Sequence, residues 1–304
     1  MLICVGEILV DLIGESDKNG ESFKRYAGGA PFNVACAAKN MGGVVGFVGN
    51  VGDDIFGRFL CDFAQSRNLD YTDISVDKEH NTTLAVVRID PFGEREFCFI
   101  RKNAADYHII RSRTEKAIEK ADTVCMGTLM LSETCGYRLA EHISKFAKAK
   151  GKKLCIDVNY RDDIYSGRDP VPAYKKFIEL ADIVKLSEDE IKIFARGSSL
   201  EEKISDIGTD KLVCVTLGKD GCAYAFNGKA RQVRSISIDP VDTTGAGDAF
   251  FGCLLSQLDG KNLQEISEQT LDEIFYRANV CGALAATARG AIDALPCREA
   301  VFTK

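Results

Sequence analysis

Short apolar, β-branched runs recur along this chain with helix-spaced segments between them, and that alternation limits the fold more than any other feature. The runs fall at 2–5, 44–48, 122–126, 153–157, 182–186 and 211–216, and the helical segments include 54–67, 133–149 and 172–180. Strands that alternate with helices build βαβ units, which pair in parallel and cover both faces of the sheet. The expected fold is α/β, with a mostly parallel central sheet flanked by helices on both faces. Lys150-Gly151 before 153–157 is the sharpest helix stop, a C-terminal glycine followed by the next strand.

One stretch breaks the rhythm. Residues 82–89 and 95–101 read as two strands joined by Asp90-Pro-Phe-Gly-Glu94, and Pro followed by Gly in a short link is hairpin chemistry. In the second arm Phe97 and Phe99 share one face, Cys98 and Ile100 the other. Residues 10–15 and 22–26 supply two further candidate strands. These pieces are expected to form a small β-sheet lid, inserted at about 10–26 and 82–101 of a single domain spanning 1–304. There is no internal repeat and no linker rich enough in Pro, Gly or Ser to separate independent units.

A chain of 304 residues that is 45% hydrophobic can build its core without staples, so its twelve cysteines need not form disulfides. Cys4, Cys36, Cys61, Cys98, Cys125, Cys155, Cys214, Cys253 and Cys281 sit among apolar neighbours, as small core residues do. No C-x-x-C pair exists and His80, His108 and His142 lie far apart, which argues against structural zinc. Reduced thiols and a cytoplasmic location are the expectation. The formal net charge of −6 argues against a nucleic-acid footprint. The opening Met1-Leu-Ile-Cys-Val-Gly-Glu-Ile-Leu-Val-Asp11 carries acids inside its apolar stretch and reads as a buried strand rather than a signal peptide. No run approaches the ~20 residues that cross a bilayer.

Chemistry concentrates in Asp242-Thr-Thr-Gly-Ala-Gly-Asp-Ala-Phe-Phe-Gly252. The segment 249–258 is apolar at helical spacing, so Gly245, Ala246 and Gly247 lie at or just before a helix N-terminus. Unpaired amides and the positive dipole end favour an anion there, and the glycines let the backbone close around it. A loop that only held phosphate would gain nothing from Asp248. The conflict resolves if Asp248 takes the proton of an incoming hydroxyl while the amides of 245–248 stabilise the moving phosphoryl group. The plainer reading, of acids at a helix start and a tight glycine turn, stands beside it.

Asp242-Thr-Thr-Gly-Ala-Gly-Asp248 closely resembles the C-terminal signature of the PfkB, or ribokinase-like, carbohydrate kinases, and Ala27-Gly-Gly-Ala-Pro-Phe-Asn-Val-Ala35 resembles their N-terminal signature. Further likeness runs through Val5–Asp11, Phe47–Asp54, Val215–Gly221, Ala278–Ala286 and Arg289-Gly-Ala291, nearly the whole chain. The resemblance implies an ATP-dependent sugar kinase with Asp248 as base and the 245–247 amides as anion hole. It places Asp11, Gly28, Gly29 and Asn33 on sugar hydroxyls, although a turn before the 31–42 helix and a first-turn polar residue would explain Gly28-Gly29 and Asn33 as well. Glu190 falls where the family manages magnesium through water, with Ser187 in place of the usual Asn; a capping box from Ser187 to Glu190 explains the same spacing. Lys185, Thr216, Gly218, Gly221 and Asn279 fall on the nucleotide side by the same resemblance. Asp242 and Thr244, with carbonyls near Ala285, Ala288 and Gly290, resemble the potassium site of some members.

The sugar is less constrained than the reaction. Arg25–Asn33, Phe99–Asp106 and Asp157-Val-Asn-Tyr-Arg161 look most like fructokinases, so Arg101, Asn159 and Arg161 join the substrate side by resemblance. Plain surface charges are the alternative for the two arginines. A 2-keto-3-deoxygluconate kinase is the nearest rival, since its substrate carboxylate wants an arginine. A non-catalytic binding protein on the same scaffold would be expected to lose the base or the glycines, and both are intact. A Rossmann dehydrogenase or P-loop enzyme is disfavoured because neither glycine fingerprint is present. The partners expected are a sugar and ATP with Mg2+, and the open edges of a lid sheet suit pairing with a second copy.

Overall fold

The computed structural model describes residues 1–17, 20–89 and 95–303, and its strands sort into two sheets. In chain order they are β1 (Leu2–Val5), β2 (Leu9–Asp17), β3 (Gly20–Gly28), β4 (Val45–Gly52), β5 (Tyr71–Asp77), β6 (Leu84–Ile89), β7 (Arg95–Ile100), β8 (Thr123–Met126), β9 (Lys153–Asp157), β10 (Ile183–Ser187), β11 (Leu212–Thr216), β12 (Cys222–Phe226) and β13 (Lys229–Val233). The helices are α1 (Ala30–Asn40), α2 (Ile55–Ser66), α3 (Arg111–Lys120), α4 (Thr134–Ala149), α5 (Val171–Leu180), α6 (Glu188–Phe194), α7 (Leu200–Ile207), α8 (Ala246–Leu258), α9 (Glu268–Ala285) and α10 (Arg298–Phe302).

The large sheet runs β13-β12-β11-β10-β9-β8-β1-β4-β5, and every pair from β11 to β5 is parallel. The interior strand β1 shows why the apolar runs are continuous. Leu2 and Cys4 pack with α1, α8 and α9 on one face, while Ile3 and Val5 pack with α3 to α7 on the other. A strand covered on both sides has no polar face to display. The fold is thus the α/β arrangement expected, extended at one end by β12 and β13, which pair antiparallel.

The second sheet runs β3-β2-β6-β7, with β2 and β6 parallel and the outer pairs antiparallel. Leu12 joins the core beneath α1 and α8, and Leu9 and Ala85 pack with Leu129 and Phe99. The hairpin link expected at 90–94 and the expected facing of Phe97 lie outside the described residues and side chains. Cys98 corrects the cysteine expectation: it is exposed, and so is its face-mate on β7, Ile100, at 56%. Cys222, by contrast, is buried. Among the described residues no helix is long and apolar enough to cross a membrane.

Candidate active site

The chain enters α8 through Gly245, which holds the left-handed conformation at φ 77° and caps the helix. A Cβ at Gly245 would lie 2.6 Å from Ala291 Cβ, so only glycine lets the two segments meet. Asp242 fixes that meeting: its Oδ1 accepts from Thr244 N at 2.9 Å and its Oδ2 from Gly290 N at 3.2 Å. Val241 and Asp242 also donate their amides to the Ala286 carbonyl. The first turn of α8 therefore starts from a sewn frame at the dipole's positive end, where the Ala246 amide donates to the Thr243 carbonyl at 3.2 Å.

Asp248 projects from the first turn of α8 and its Oδ2 accepts from Asn33 Nδ2 at 2.8 Å. Two helices bring these residues together. Gly252 lets α8 lie close on α1, because a Cβ there would stand 2.5 Å from Val34 O and 2.6 Å from Ala37 Cβ. Asn33 is buried, and among the described residues its Oδ1 has no hydrogen-bond partner. A buried acceptor left open beside a carboxylate is a place for a hydroxyl donor.

The sugar-side residues of the sequence reading converge here. Asp11 lies on β2 opposite Tyr26 of β3, and its Oδ2 fills the space over Gly28, where a Cβ would be only 2.1 Å away. Gly29 caps α1 at φ 107°, with the Glu7 carbonyl 2.5 Å from where a side chain would begin. Burial pushes Asp11 up to about 7, helped by the charge of Asp248. Burial also pushes Asp248 up to about 7, with Asp157 adding to it and Asn33, Lys185 and Arg161 opposing. Arg161 is exposed, yet its charge reaches Asp248, and Asn159 beside it takes a left-handed turn at φ 38°.

A buried ammonium stands beside the first turn of α8. Lys185, at 6% exposure on β10, donates to Asp157 Oδ2 at 2.6 Å, and a Cβ on Gly247 would lie 3.1 Å from its ammonium. Burial works against that charge, but Asp157 and Glu190 outweigh it and keep the amine protonated. The capping box read from the sequence is present: Glu190 N donates to Ser187 Oγ, and Ser187 N donates to Glu190 Oε2 at 2.6 Å. Tyr160 N donates to the other oxygen, Oε1, at 2.6 Å. Thr216 ends β11 and leads into Gly218 (φ 56°), beside which a Cβ would meet open space, and Gly221 (φ 93°), where it would strike Val233 O at 2.2 Å. Asn279 is buried and donates to the carbonyls of Val233 and Arg234, so it holds the 233–234 segment in place.

The surface-charge reading of Arg101 needs correction. Arg101 is 5% exposed and its Nη2 donates to Asp106 at 2.7 Å, its Nη1 to Leu129 O at 2.8 Å and to Ser132 and Tyr107. The buried guanidinium joins the end of β7 to the main domain, where its acid partner offsets the cost of burial.

Glu7 and Asp157 were given no role by sequence reasoning. Asp157 holds Lys185. Glu7 is 1% exposed, among the described residues both its oxygens lack hydrogen-bond partners, and Oε2 would stand 2.7 Å from a Cβ on Gly127. Burial raises it from 4.5 to about 8; Arg101 opposes the shift and Asp106 and Asp248 add to it. A group raised on folding contributes stability that is fully present below 4.5 and lost as pH climbs through about 8. Glu7→Gln never ionises, so its melting temperature should gain ~5 °C on wild type between pH 5 and pH 9. A difference that stays constant across that range would show that Glu7 does not titrate there.

Comparison with known proteins places this geometry. The pfkB family carbohydrate kinase domain matches residues 1–298. Probable fructokinase-7 of Arabidopsis thaliana is 36% identical over 318 aligned positions, covering 99% of this chain and 91% of that one. The fructokinase of Xylella fastidiosa, solved with bound ATP, superposes with a TM-score of 0.91 at 27% identity, over 99% of this chain and 97% of that one. A double mutant of the Vibrio cholerae O395 fructokinase, solved with fructose, ADP and potassium, gives 0.88 at 32% identity, over 99% and 97% of the two chains. A family match over nearly the whole chain, with relatives above 30% identity along its full length, shows that the chain belongs to the pfkB family of carbohydrate kinases.

Proposed function

We propose that this sugar kinase is an ATP-dependent fructokinase giving fructose 6-phosphate. The observation that carries the catalytic reading is the Asn33–Asp248 hydrogen bond at the start of α8, with Asp11 near enough for the charge of Asp248 to raise it. The sugar lies between them, its hydroxyls donating to Asp11 and to Asn33 Oδ1. Asp248 takes the proton of the primary hydroxyl as that oxygen bonds to the γ-phosphorus. The bond from the γ-phosphorus to the β–γ bridging oxygen breaks, and ADP leaves. Asp248 then releases its proton to solvent. The amides of 245–247 and the Lys185 ammonium meet the charge spread over the transferring group. Thr216, Gly218 and Gly221 line the nucleotide side, and the small sheet excludes water, the competing acceptor.

Fructose is supported by the names and the bound sugar of the relatives. The keto-acid alternative asks for an arginine to bind a carboxylate; Arg101 is paired with Asp106 but Arg161 is exposed, so the relatives rather than the arginines favour fructose. Among the described residues no group of three or more His, Cys, Asp or Glu side chains is arranged to hold a metal ion. Mg2+ fits as a companion of the ATP phosphates, whose charge it would offset, with Glu190 reached through water because both its oxygens accept amides. Potassium at the Asp242 and Thr244 loop belongs to the same proposal, as does pairing of two copies through the small sheet.

The test is ADP release with Mg2+ against fructose, 2-keto-3-deoxygluconate, ribose and a nucleoside. Fructose should lead the panel by at least ~10-fold in kcat/KM. Turnover led by the keto-acid would overturn the substrate and keep the mechanism. Binding without any turnover would overturn the enzyme.

A further inference from the structure

The large sheet changes its direction of growth between β1 and β8. From β1 the chain adds β4 and β5 on one side, then returns to lay β8, β9, β10 and β11 on the other. At such a reversal an open parallel sheet leaves a crevice outside the carboxyl ends of the two strands, and ligands bind there. Here the strands end at Val5 and Met126, so the crevice lies between Gly6-Glu7 and Gly127-Thr128. Glu7 is its buried acid. A Cβ on Gly127 would stand 2.7 Å from Glu7 Oε2 and 2.9 Å from Pro31 Cγ, so the carboxyl is seated where β1, β8 and the start of α1 meet. Pro31 and Gly127 also line a cavity of about 10 Å³ with Thr128, Asp157 and Asn159, close to the room that one water or hydroxyl needs. The charged groups whose fields reach Glu7 are Arg101, Asp106 and Asp248. Arg101 is taken by Asp106, and among the described residues neither oxygen of Glu7 has a hydrogen-bond partner.

We propose that Glu7 is a further sugar-site residue, its carboxyl donating a hydrogen bond to a sugar hydroxyl that enters this crevice. The inference rests on the kinase reading above and deepens it. A leucine would fill the same place at less cost, because it leaves no buried polar atom open. An open carboxyl at the crevice therefore points to a polar group that arrives with the ligand. A hydroxyl both donates and accepts. Asp11 and Asn33 Oδ1 accept, and Asn33 Nδ2 is already given to Asp248, so what these side chains lack is a donor. Glu7 can donate only while it keeps its proton. Burial raises it to about 8, so it holds the proton at neutral pH. As pH climbs through about 8 the donor is lost and a negative charge is added near Asp248, so sugar affinity should fall. Asp11 and Asp248, raised to about 7, have ionised before that point and cannot supply the step.

Fructose binding without ATP, measured by calorimetry on the full chain across alkaline pH, tests this. In wild type the Kd should rise at least ~10-fold between about pH 7 and about pH 9.5, the behaviour of one group that must stay protonated. Glu7→Gln keeps a donor and cannot ionise, so its Kd should show no such step. Glu7→Leu removes the donor, and Glu7→Met repeats the loss with an unbranched chain should the first fail to fold. Both should weaken fructose binding at neutral pH by at least ~10-fold and raise the fructose KM alike, while kcat at saturating sugar and the KM for ATP stay within ~threefold. Fructose analogues that each lack one hydroxyl locate the partner: one of them should bind wild type more weakly and lose nothing further in Glu7→Leu. Wild-type affinity in the leucine and methionine variants would overturn the proposal, and so would an alkaline step that survives in Glu7→Gln. An equal further loss for every analogue would overturn it as well, because Glu7 would then only shape the pocket. In each of these cases wild type still phosphorylates fructose, and this proposal falls alone. A wild-type chain that neither binds nor turns over any sugar of the panel would overturn the kinase reading, and this proposal with it.

Discussion

Replacing Asp248 by asparagine should lower kcat by ~10²–10⁴ while fructose affinity stays within ~threefold of wild type. Asparagine has the shape of the aspartate and can still accept from Asn33 Nδ2, now 2.8 Å from the carboxylate, so the join between α1 and α8 persists. What goes is the acceptor for the hydroxyl proton. Asp248 also sets a pH signature. Burial raises it and Asp11 to about 7, and each is held there in surroundings that contain other acids. The reactive form is ionised, so kcat/KM should climb through an acidic limb near pH 7 that belongs to the two acids together. In Asp248→Asn the remaining Asp11 loses a negative neighbour, and the limb of the residual activity should move to lower pH. Steady-state kinetics from pH 5 to pH 9 on both forms check this. Near-normal turnover would remove Asp248 from the role of base.

How much of this was legible follows from where each signal resides. The 242–252 loop announces itself because glycines, an acid and an apolar helix face are all local. The Ser187–Glu190 capping box is local too, and appears as read. The central strands are legible because burial on both faces writes an unbroken apolar run. Edge strands carry no such mark: β5 reads Tyr-Thr-Asp-Ile-Ser-Val-Asp and β13 Lys-Ala-Arg-Gln-Val, because one side of each meets solvent. Helix α3 was missed for a similar reason, burying only Thr114, Ala117 and Ile118. Glu7 and Arg101 were illegible for a different reason. Their states depend on residues far away in the chain, Gly127 for one and Leu129 with Ser132 for the other, which only the fold brings near. An isolated charge after a strand looks the same whether it ends in water or in a buried ion pair.

Gly245→Ala should be nearly as damaging as loss of the base, with kcat down by ~10²–10³, the cost of disabling one oxyanion donor. The added methyl would stand 2.6 Å from Ala291 Cβ and 2.7 Å from its Cα, and a methyl has no rotamer by which to escape. Something must move. Gly290 is held by Asp242 and α8 is held where Gly252 meets α1, so the displacement falls on the amides of 245–247. The left-handed φ of 77° adds ~1–2 kcal/mol against any residue with a Cβ. Fructose KM should change little, because Asp11, Gly28 and Asn33 sit on other elements. The double variant Gly245→Ala/Ala291→Gly separates the two costs, since it removes the collision and leaves the backbone strain. Recovery of most of the lost kcat would assign the defect to the clash with Ala291, and so to the alignment of the amides. No recovery would assign it to the cap conformation itself. Wild-type kcat in Gly245→Ala would mean that these amides do not hold the transferring phosphoryl group.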